Sequence, residues 1–113
     1  MKELTIGELR YINEAVNLWK MLVMRIQCSM DHMPESLTDK LNRLEQDFQD
    51  QFRAYYQKCR DEGSQKSSDA LLDDFEEKWE KIHPDFYDFR KLFAECSPED
   101  LKAAEDMFPD YLP

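Results

Sequence analysis

The positions of apolar residues along this chain predict helices. The first segment carries them three and four residues apart, the spacing that places side chains on one face of a helix. Thr5-Ile6-Gly7-Glu8 has the form of a capping box, in which the side chains at the two ends bond each other's backbone N–H groups. We therefore expect one long helix from Thr5 to about Met30. Its apolar face comprises Leu9, Ile12, Val16, Trp19, Val23, Ile26 and Met30.

This first helix is apolar around most of its circumference. A helix with such a pattern is buried on several sides or contacts a partner. We therefore expect it to be central in the fold or to form a homodimer. The additional apolar residues are Ala15, Leu18, Met21, Leu22 and Met24.

A second helix is predicted after Pro34, because proline lacks a backbone donor and disfavours helical geometry in the residue before it. We place its start near Ser36. Its apolar stripe is narrow and continuous, so we expect it to pack against the first helix as a long antiparallel hairpin over residues 1–60. The stripe comprises Leu37, Leu41, Leu44, Phe48, Phe52, Tyr55 and Cys59.

Residues 61–69 are polar and predict a loop, because Gly63 can end one helix and the serines after it can cap the next. A third helix is expected from Asp69 to Ile82, where His83-Pro84 stops it. On a helical wheel, its core line comprises Leu71, Phe75, Trp79, Ile82 and, beyond the stop, Phe86.

Two shorter helices are predicted after Pro84. The first begins at Asp85, and the second runs from Ser97 to Met107, because Ser97-Pro98-Glu99-Asp100 combines a capping serine with proline and acids in the first turn. We expect an all-α protein with one domain over residues 1–113. It is a compact four- to five-helix bundle built on the hairpin, with shorter acidic helices and a tail in residues 70–113. The first short helix buries Phe86, Phe89, Leu92, Phe93 and Cys96.

Acidic residues outnumber basic ones by 25 to 15, which gives a formal net charge of −10. Fourteen of the acids, against six bases, follow residue 62. This charge disfavours direct binding to nucleic acid or to anionic lipid, because both are negative. The longest apolar run, Ala15–Ile26, is too short to span a bilayer, so no membrane contact is predicted. Three scattered cysteines suit free thiols in a reducing compartment, and we predict a cytoplasmic protein.

One acidic motif has the composition of a metal site. Glu76-Glu77-Lys78-Trp79-Glu80 reads E-E-x-x-E and would place carboxylates on adjacent turns of a helix, where Mg²⁺ accepts oxygen ligands. Over these residues the chain resembles the first motif of the all-α nucleoside triphosphate pyrophosphohydrolases, the MazG-like enzymes. The resemblance implies metal ligation by Glu76, Glu77 and Glu80. Those enzymes also have an E-x-x-D motif on a following helix, and this chain has none downstream.

The two histidines raise further alternatives. Glu80 and His83 have the Glu-x-x-His spacing of di-iron bundles, but the chain carries only one copy. Cys28 and His32 lie four residues apart, which would suit a thiol nucleophile with its base or half of a zinc site. No two cysteines have the short spacing of structural zinc motifs, and buried cysteine packs as a small apolar residue. We therefore predict no cofactor.

The acidic C-terminal half offers a surface for a protein partner. One edge of the third helix carries carboxylates without neighbouring bases, and these continue past the stop among aromatic residues. We expect the carboxylates to complement a basic surface and the aromatic rings to act as anchors. The predicted charges are Asp73, Glu76, Glu80, Asp85 and Asp88, and the predicted anchors are Tyr87 and Tyr111.

These observations favour a small non-enzymatic protein-binding module that inhibits or regulates a basic, nucleic-acid-handling partner. Immunity, anti-defence and nucleic-acid-mimic proteins are small acidic chains of this kind, which is an analogy of size and charge. The first alternative is a Mg²⁺-dependent nucleotide hydrolase that uses the three-glutamate motif. The second is a structural or oligomerisation protein that uses the methionine-rich first helix.

Overall fold

The computed structural model describes residues 2–106, apart from the side chains of residues 104 and 105. All regular structure in that part of the chain is helical, which confirms the all-α prediction. No helix within these residues is long and apolar enough to cross a membrane. In chain order the elements are α1 (Ile6–Glu14), α2 (Asn17–Cys28), α3 (Glu35–Asp61), α4 (Ser68–Ile82), a 3₁₀ turn (Pro84–Phe86), α5 (Phe89–Leu92) and α6 (Pro98–Glu105).

The first predicted helix is in fact two helices. Its start is as expected, because the Thr5 hydroxyl accepts a bond from the Glu8 N–H at 3.0 Å and the Glu8 carboxylate accepts one from the Thr5 N–H at 3.1 Å. The prediction of one continuous helix is wrong, because regular helix is interrupted at Ala15 and Val16. Neither proline nor glycine lies there. We therefore attribute the break to tertiary packing, which overrides local preference.

The helix α3 provides the long core stripe that its periodicity predicts. It begins at Glu35, next to the predicted start at Ser36. It contacts both α1 and α4, so one stripe serves two neighbouring helices. Its buried residues are Leu37, Leu41, Leu44, Phe48, Phe52 and Tyr56.

The end of this stripe differs from the prediction. Tyr56 is fully buried, whereas the predicted Tyr55 and Cys59 are half-buried. The Tyr56 hydroxyl donates to Glu8 Oε2 at 2.6 Å, and Arg60 Nε donates to the same oxygen at 2.8 Å. The bond from Tyr56, followed by that from Arg60, lowers the pKa of Glu8 to about 2. A tyrosine can be buried here because its hydroxyl has partners, which apolar spacing alone does not show.

A loop follows α3 near the predicted position, but it is shorter than the predicted 61–69, because α3 ends at Asp61 and α4 begins at Ser68. Gly63 has a φ of +85°, a left-handed conformation that favours glycine just after a helix. At the other end, the Ser67 hydroxyl accepts a bond from the Ala70 N–H and caps α4. Both ends of the loop thus have the residues that their backbone geometry requires. The buried residues of α4 are Leu71, Phe75 and Trp79.

The chain after α4 is less helical than predicted. The expected helix from Asp85 is wrong, because a single 3₁₀ turn is followed by only four residues of α5. The predicted core residue Ile82 is 65% exposed. It is exposed because the chain turns at His83, and the buried Phe86 lies in the core instead. The other predicted core residues of this segment are buried: Phe89, Leu92, Phe93 and Cys96.

The start of α6 is as predicted. The Ser97 hydroxyl accepts a bond from the Asp100 N–H at 3.2 Å, and Pro98 is the first helical residue. Asp100 is buried and accepts a bond from the Asp31 N–H at 3.0 Å, which lowers the pKa of Asp100 and connects α6 to the segment after α2. The predicted end at Met107 and the tail 108–113 lie outside the described residues.

Contacts between α3 and the helices before it run in opposite sequence order. Asn13 Oδ1 accepts a bond from Arg53 at 3.0 Å. Further along, Lys20 Nζ lies 3.1 Å from a carboxylate oxygen of Glu45. From the first contact to the second, residue numbers rise in the α1–α2 segment and fall in α3. The molecule is elongated, with principal-axis extents of 50 × 27 × 24 Å.

Candidate functional site

The helices α1 and α2 carry two apolar stripes. The first is buried in the core and comprises Ile12, Val16, Trp19, Val23 and Ile26. The second, which we call the outer stripe, comprises Tyr11, Ala15, Leu18 and Leu22. Leu18 is 71% exposed, and the other three residues are half-buried. The outer stripe is therefore an apolar helix face that the described part of the chain covers only in part.

The outer stripe borders a groove with a volume of about 810 Å³. Glu14, Val16 and Trp19 also line it, and the remaining lining residues come from α3, α4 and residues 86–89. The groove therefore runs between parts of the chain that are distant in sequence. Its volume is in the range of ligand-binding clefts. The lining residues are Tyr11, Glu14, Ala15, Val16, Leu18, Trp19, Leu22, Phe48, Leu72, Glu76, Phe86, Tyr87, Asp88 and Phe89.

Stacked aromatic rings form the base of the groove. Trp19 Nε1 donates to the backbone carbonyl of Phe86 at 2.6 Å. The two rings stack with centroids 4.3 Å apart and an interplanar angle of 7°. Phe48 is also nearly parallel to Phe86, at 5.4 Å and 7°. These contacts join α2, α3 and the 3₁₀ turn, so packing within the chain holds the base together.

Three carboxylates border the groove, and we call them the rim carboxylates: Glu14 of α1, Glu76 of α4, and Asp88 before α5. The Tyr87 hydroxyl donates to Glu76 Oε2 at 2.6 Å. Asp88 caps α5 by accepting a bond from the Lys91 N–H at 3.3 Å, and the Lys91 ammonium lies 3.9 Å from its other oxygen. Among the described residues that line the groove, none is basic. The groove thus combines an apolar base with a negative rim.

Two tyrosines of the groove have carboxylate partners. Burial, followed by the bond to Glu76, raises the pKa of Tyr87 well above its ordinary value. The Tyr11 hydroxyl donates to Asp69 Oδ1 at 2.5 Å. Burial raises the pKa of Tyr11, and the bond to Asp69 and the charges of Asp73 and Glu76 raise it further. Both phenols therefore stay protonated at neutral pH and donate hydrogen bonds.

The structure brings three of the predicted site residues together at the groove: Glu76, Tyr87 and Asp88. Asp73 and Glu80 are exposed on α4 and do not line the groove. Neither of them has an ion pair with any residue in the range 2–106. The acidic edge predicted for α4 is therefore divided. Glu76 lines the groove, whereas Asp73 and Glu80 are exposed to solvent.

The remaining predicted residues lie in other surroundings. Asp85 forms an ion pair with Lys40 at 2.9 Å, which offsets part of its charge and ties the 3₁₀ turn to α3. The Tyr87 ring packs edge-on against Phe86, with centroids 4.8 Å apart, so this predicted anchor is itself half-buried. Tyr111 lies outside the part of the chain that the structure describes.

The residues that α1 and α2 contribute to the groove are not singled out by the sequence pattern as a site. A signal for them exists, because Ala15, Leu18 and Leu22 repeat the spacing of the core stripe on a neighbouring face of the helix. The pattern does not show that α4 and residues 86–89 leave this face open. Glu14 gives no sequence signal at all, since an isolated glutamate on a helix is ordinary.

Residues 2–106 contain no assembled metal-binding site. No group of three or more His, Cys, Asp and Glu side chains there could hold a metal ion. Of the E-E-x-x-E glutamates, Glu76 borders the groove, while Glu77 and Glu80 are exposed. The helix α2 ends at Cys28, so helical spacing does not bring His32 onto the same face.

No protein-family model, curated protein or solved structure shows significant similarity to this chain. The groove, the rim carboxylates and the exposed acids of α4 are the features that carry chemical information.

Proposed function

We propose that this chain is a small non-enzymatic protein-binding module that inhibits or regulates a partner with a basic surface, in particular a nucleic-acid-handling protein. The observation that carries the proposal is the groove, in which an aromatic base adjoins the rim carboxylates Glu14, Glu76 and Asp88. Such a site suits a partner that presents cationic and apolar groups side by side.

The charge of the chain favours a protein partner over nucleic acid. A net charge of −10 repels phosphate groups and attracts basic surfaces. Asp73 and Glu80 add exposed negative charge to the helix that contributes Glu76 to the groove. We expect this field to speed the encounter and the groove contacts to slow dissociation. Protein surfaces that bind nucleic acid are positively charged, and the negative field of this chain attracts them.

We further propose that the helices form a bundle built on a long antiparallel hairpin of α3 with the α1–α2 segment. Two observations support this arrangement. The contacts of α3 with the helices before it run in opposite sequence order, as between Asn13 and Arg53. The buried residues of all the larger helices also belong to one apolar cluster.

A reducing, cytoplasmic location is part of the same proposal. Cys28, Cys59 and Cys96 are all free thiols. Free thiols persist where the cell keeps cysteine reduced. Immunity, anti-defence and nucleic-acid-mimic proteins remain the classes that fit this location, size and charge.

Capture of partners on the immobilised full chain tests the function. We expect a basic protein of the host lysate to be retained at low salt and released at high salt, because exposed charge pairs are screened. The double variant Asp73→Asn with Glu80→Gln should retain less of it. The matched control, Glu3→Gln with Asp39→Asn, removes the same charge at exposed positions away from the groove and should behave as wild type.

A second assay gives the functional readout. The captured protein, once purified, should bind nucleic acid less tightly when the wild-type chain is added. Failure to retain any basic protein even at low salt would contradict the proposal. Equal loss with the control variant would show that only total charge matters.

Self-association through α2 is a second candidate function. Leu18, Met21 and Met24 are 71%, 55% and 52% exposed, so this helix presents large apolar side chains to solvent. Methionine adapts to varied apolar surfaces. Sedimentation equilibrium would distinguish a monomer of 13.6 kDa from a dimer.

A further inference from the structure

We propose that the groove binds one amphipathic helix of the partner, with the apolar face of that helix in the groove and its basic side chains next to the rim carboxylates. This inference rests on the proposed function and specifies which part of the partner is recognised. The partner segment is thus defined by two properties, a helical apolar stripe and flanking Lys or Arg residues.

The outer stripe has the residue spacing of a helix–helix contact, and the described part of the chain covers it only in part. Tyr11, Ala15, Leu18 and Leu22 follow steps of four, three and four residues, the spacing of the apolar seam between paired helices. The stripe spans the end of α1, the break at Ala15 and Val16, and the start of α2. An uninterrupted helix over the same residues would be about 16 Å long, or about three turns. A helix of that length presents apolar residues at i, i+3 or i+4, and i+7, which is the pattern of helix-in-groove recognition.

The middle of the stripe offers space for an anchor. Ala15 is the smallest residue that lines the groove and lies at the break between α1 and α2. The stacked rings of Trp19 and Phe86 form the base nearby. We assign the central apolar side chain of the bound helix to this position. Because the base is already held by the bond from Trp19 to Phe86, little protein ordering is required on binding.

The charges determine which kind of amphipathic helix fits. Glu14 comes from α1 and Glu76 from α4, so carboxylates stand on two of the elements that border the groove. Within the part of the chain that the structure describes, no lining residue is basic. A bound helix therefore gains most when Lys or Arg flanks its apolar stripe. A second copy of this chain also has a net charge of −10, so the negative rim would repel it. This repulsion favours a basic helix from another protein over self-association.

Three synthetic peptides of equal length and the full chain provide the test. The first peptide is helical and amphipathic, with leucines at i, i+4 and i+7 and Lys or Arg on both flanks. The second has the same composition in an order that removes the apolar stripe, and the third keeps the stripe but replaces each base by glutamate. By isothermal titration calorimetry, we expect the first to bind at least about tenfold more tightly than either of the others.

The variant Leu18→Asp separates insertion into the groove from simple attraction of opposite charges. It adds a negative charge beside the groove, so attraction alone would strengthen binding of the basic peptide. Insertion of an apolar face predicts the opposite, a loss of at least about tenfold. Leu18 is 71% exposed, so the fold should tolerate the change, which circular dichroism will check. Ile6→Asp is the matched control, because Ile6 is 80% exposed and does not line the groove.

A second variant tests the charge of the rim. Glu14→Gln combined with Glu76→Gln removes two charges, and the new amide oxygen at residue 76 can still accept the bond from Tyr87. We expect weaker binding of the basic amphipathic peptide and a shallower dependence on salt. A peptide with glutamine in place of its bases should bind both proteins equally.

Each outcome bears on the inference. Equal binding of the two basic peptides, or tighter binding by Leu18→Asp, would overturn it and leave the proposed function intact, because a basic partner would still bind the acidic surface. If the acidic amphipathic peptide binds as tightly as the basic one, the role assigned to the rim carboxylates is wrong. A dimer that dissociates with Leu18→Asp would assign the groove to a second copy. If the peptide binds as expected but no basic protein is captured from lysate, only the proposed function fails.

Discussion

The indole N–H of Trp19 donates to the backbone carbonyl of Phe86, 67 residues away in the sequence, at 2.6 Å. The other tryptophan presents a contrast. Trp79 is also buried, but its Nε1 has no hydrogen-bond partner within residues 2–106. The two side chains thus offer a natural comparison, in which one buried indole is satisfied and the other is not.

Replacing each tryptophan by phenylalanine should give unequal losses of stability. Trp19→Phe leaves the Phe86 carbonyl without its donor, whereas Trp79→Phe breaks no hydrogen bond. We expect Trp19→Phe to lower the free energy of unfolding by about 1–3 kcal/mol more than Trp79→Phe, since both remove a similar volume. Urea unfolding followed by far-UV circular dichroism measures the difference. A larger loss for Trp79→Phe would contradict the assigned bond.

The cluster of Glu8, Tyr56 and Arg60 should make stability depend on pH in acid. Its bonds lower the pKa of Glu8 from 4.5 to about 2 in the folded protein. A depressed folded-state pKa stabilises the protein fully above the unfolded-state pKa, and this contribution is lost as pH falls from about 4.5 to about 2. Glu8→Gln should therefore destabilise the protein most near neutral pH.

Urea unfolding of wild type and Glu8→Gln at several pH values checks this expectation. The difference between their free energies of unfolding should shrink as the pH falls through the window between the two pKa values. Glu3→Gln, at an exposed position, is the control and should match wild type throughout. A constant difference from pH 7 to pH 3 would show that the Glu8 charge contributes nothing.

The two glycines of the chain should respond to alanine in opposite directions. Gly63 has a φ of +85°, and nothing lies within 4 Å of an added Cβ, so Gly63→Ala has only backbone strain to overcome. We expect a loss of about 1 kcal/mol in the free energy of unfolding. Gly7 lies within α1 with ordinary space around an added Cβ, and Gly7→Ala should gain about 0.5 kcal/mol. Losses of equal size from both changes would mean that helix preference is irrelevant at residue 7.

We expect no hydrolysis of nucleoside triphosphates in the presence of Mg²⁺ or Mn²⁺. Glu77 and Glu80 point to solvent, and no set of three metal-binding side chains is assembled within residues 2–106. Without a bound cation, the carboxylates repel the triphosphate. Release of pyrophosphate or phosphate, measured with purified protein, checks this. Hydrolysis that Glu76→Gln abolishes would make the nucleotide hydrolase the correct function.

The helix boundaries could be predicted where a single residue determines them. Thr5 and Glu8 cap α1, Gly63 follows α3 with a positive φ, and Pro84 stops α4. These signals are local and act through the backbone of neighbouring residues, so the sequence contains them directly. The break at Ala15 has no such residue. We attribute it to tertiary packing, which no local signal contains.

The core and the groove could be predicted only in part. Periodicity identifies the buried face of α3 but predicts Tyr55 as a core residue in place of Tyr56. Tyr56 can be buried because its hydroxyl bonds to Glu8 and Arg60, and apolar spacing contains no information about those bonds. Likewise, the acids of α4 are visible in the sequence as a charged edge. That Glu76 borders a groove with Leu18 follows from tertiary packing, which no local pattern contains.

The unequal surroundings of the two indoles also give the molecule two intrinsic fluorophores that report on different events. Trp19 lines the groove, whereas Trp79 is buried behind the base of the groove, where it packs against Phe48 and Phe86. In Trp79→Phe, emission would come from Trp19 alone, and its wavelength and intensity would change when a helix occupies the groove. In Trp19→Phe, emission would come from Trp79 alone and would change when the core unfolds. The pair of variants thus separates occupation of the groove from loss of the fold, without any added label.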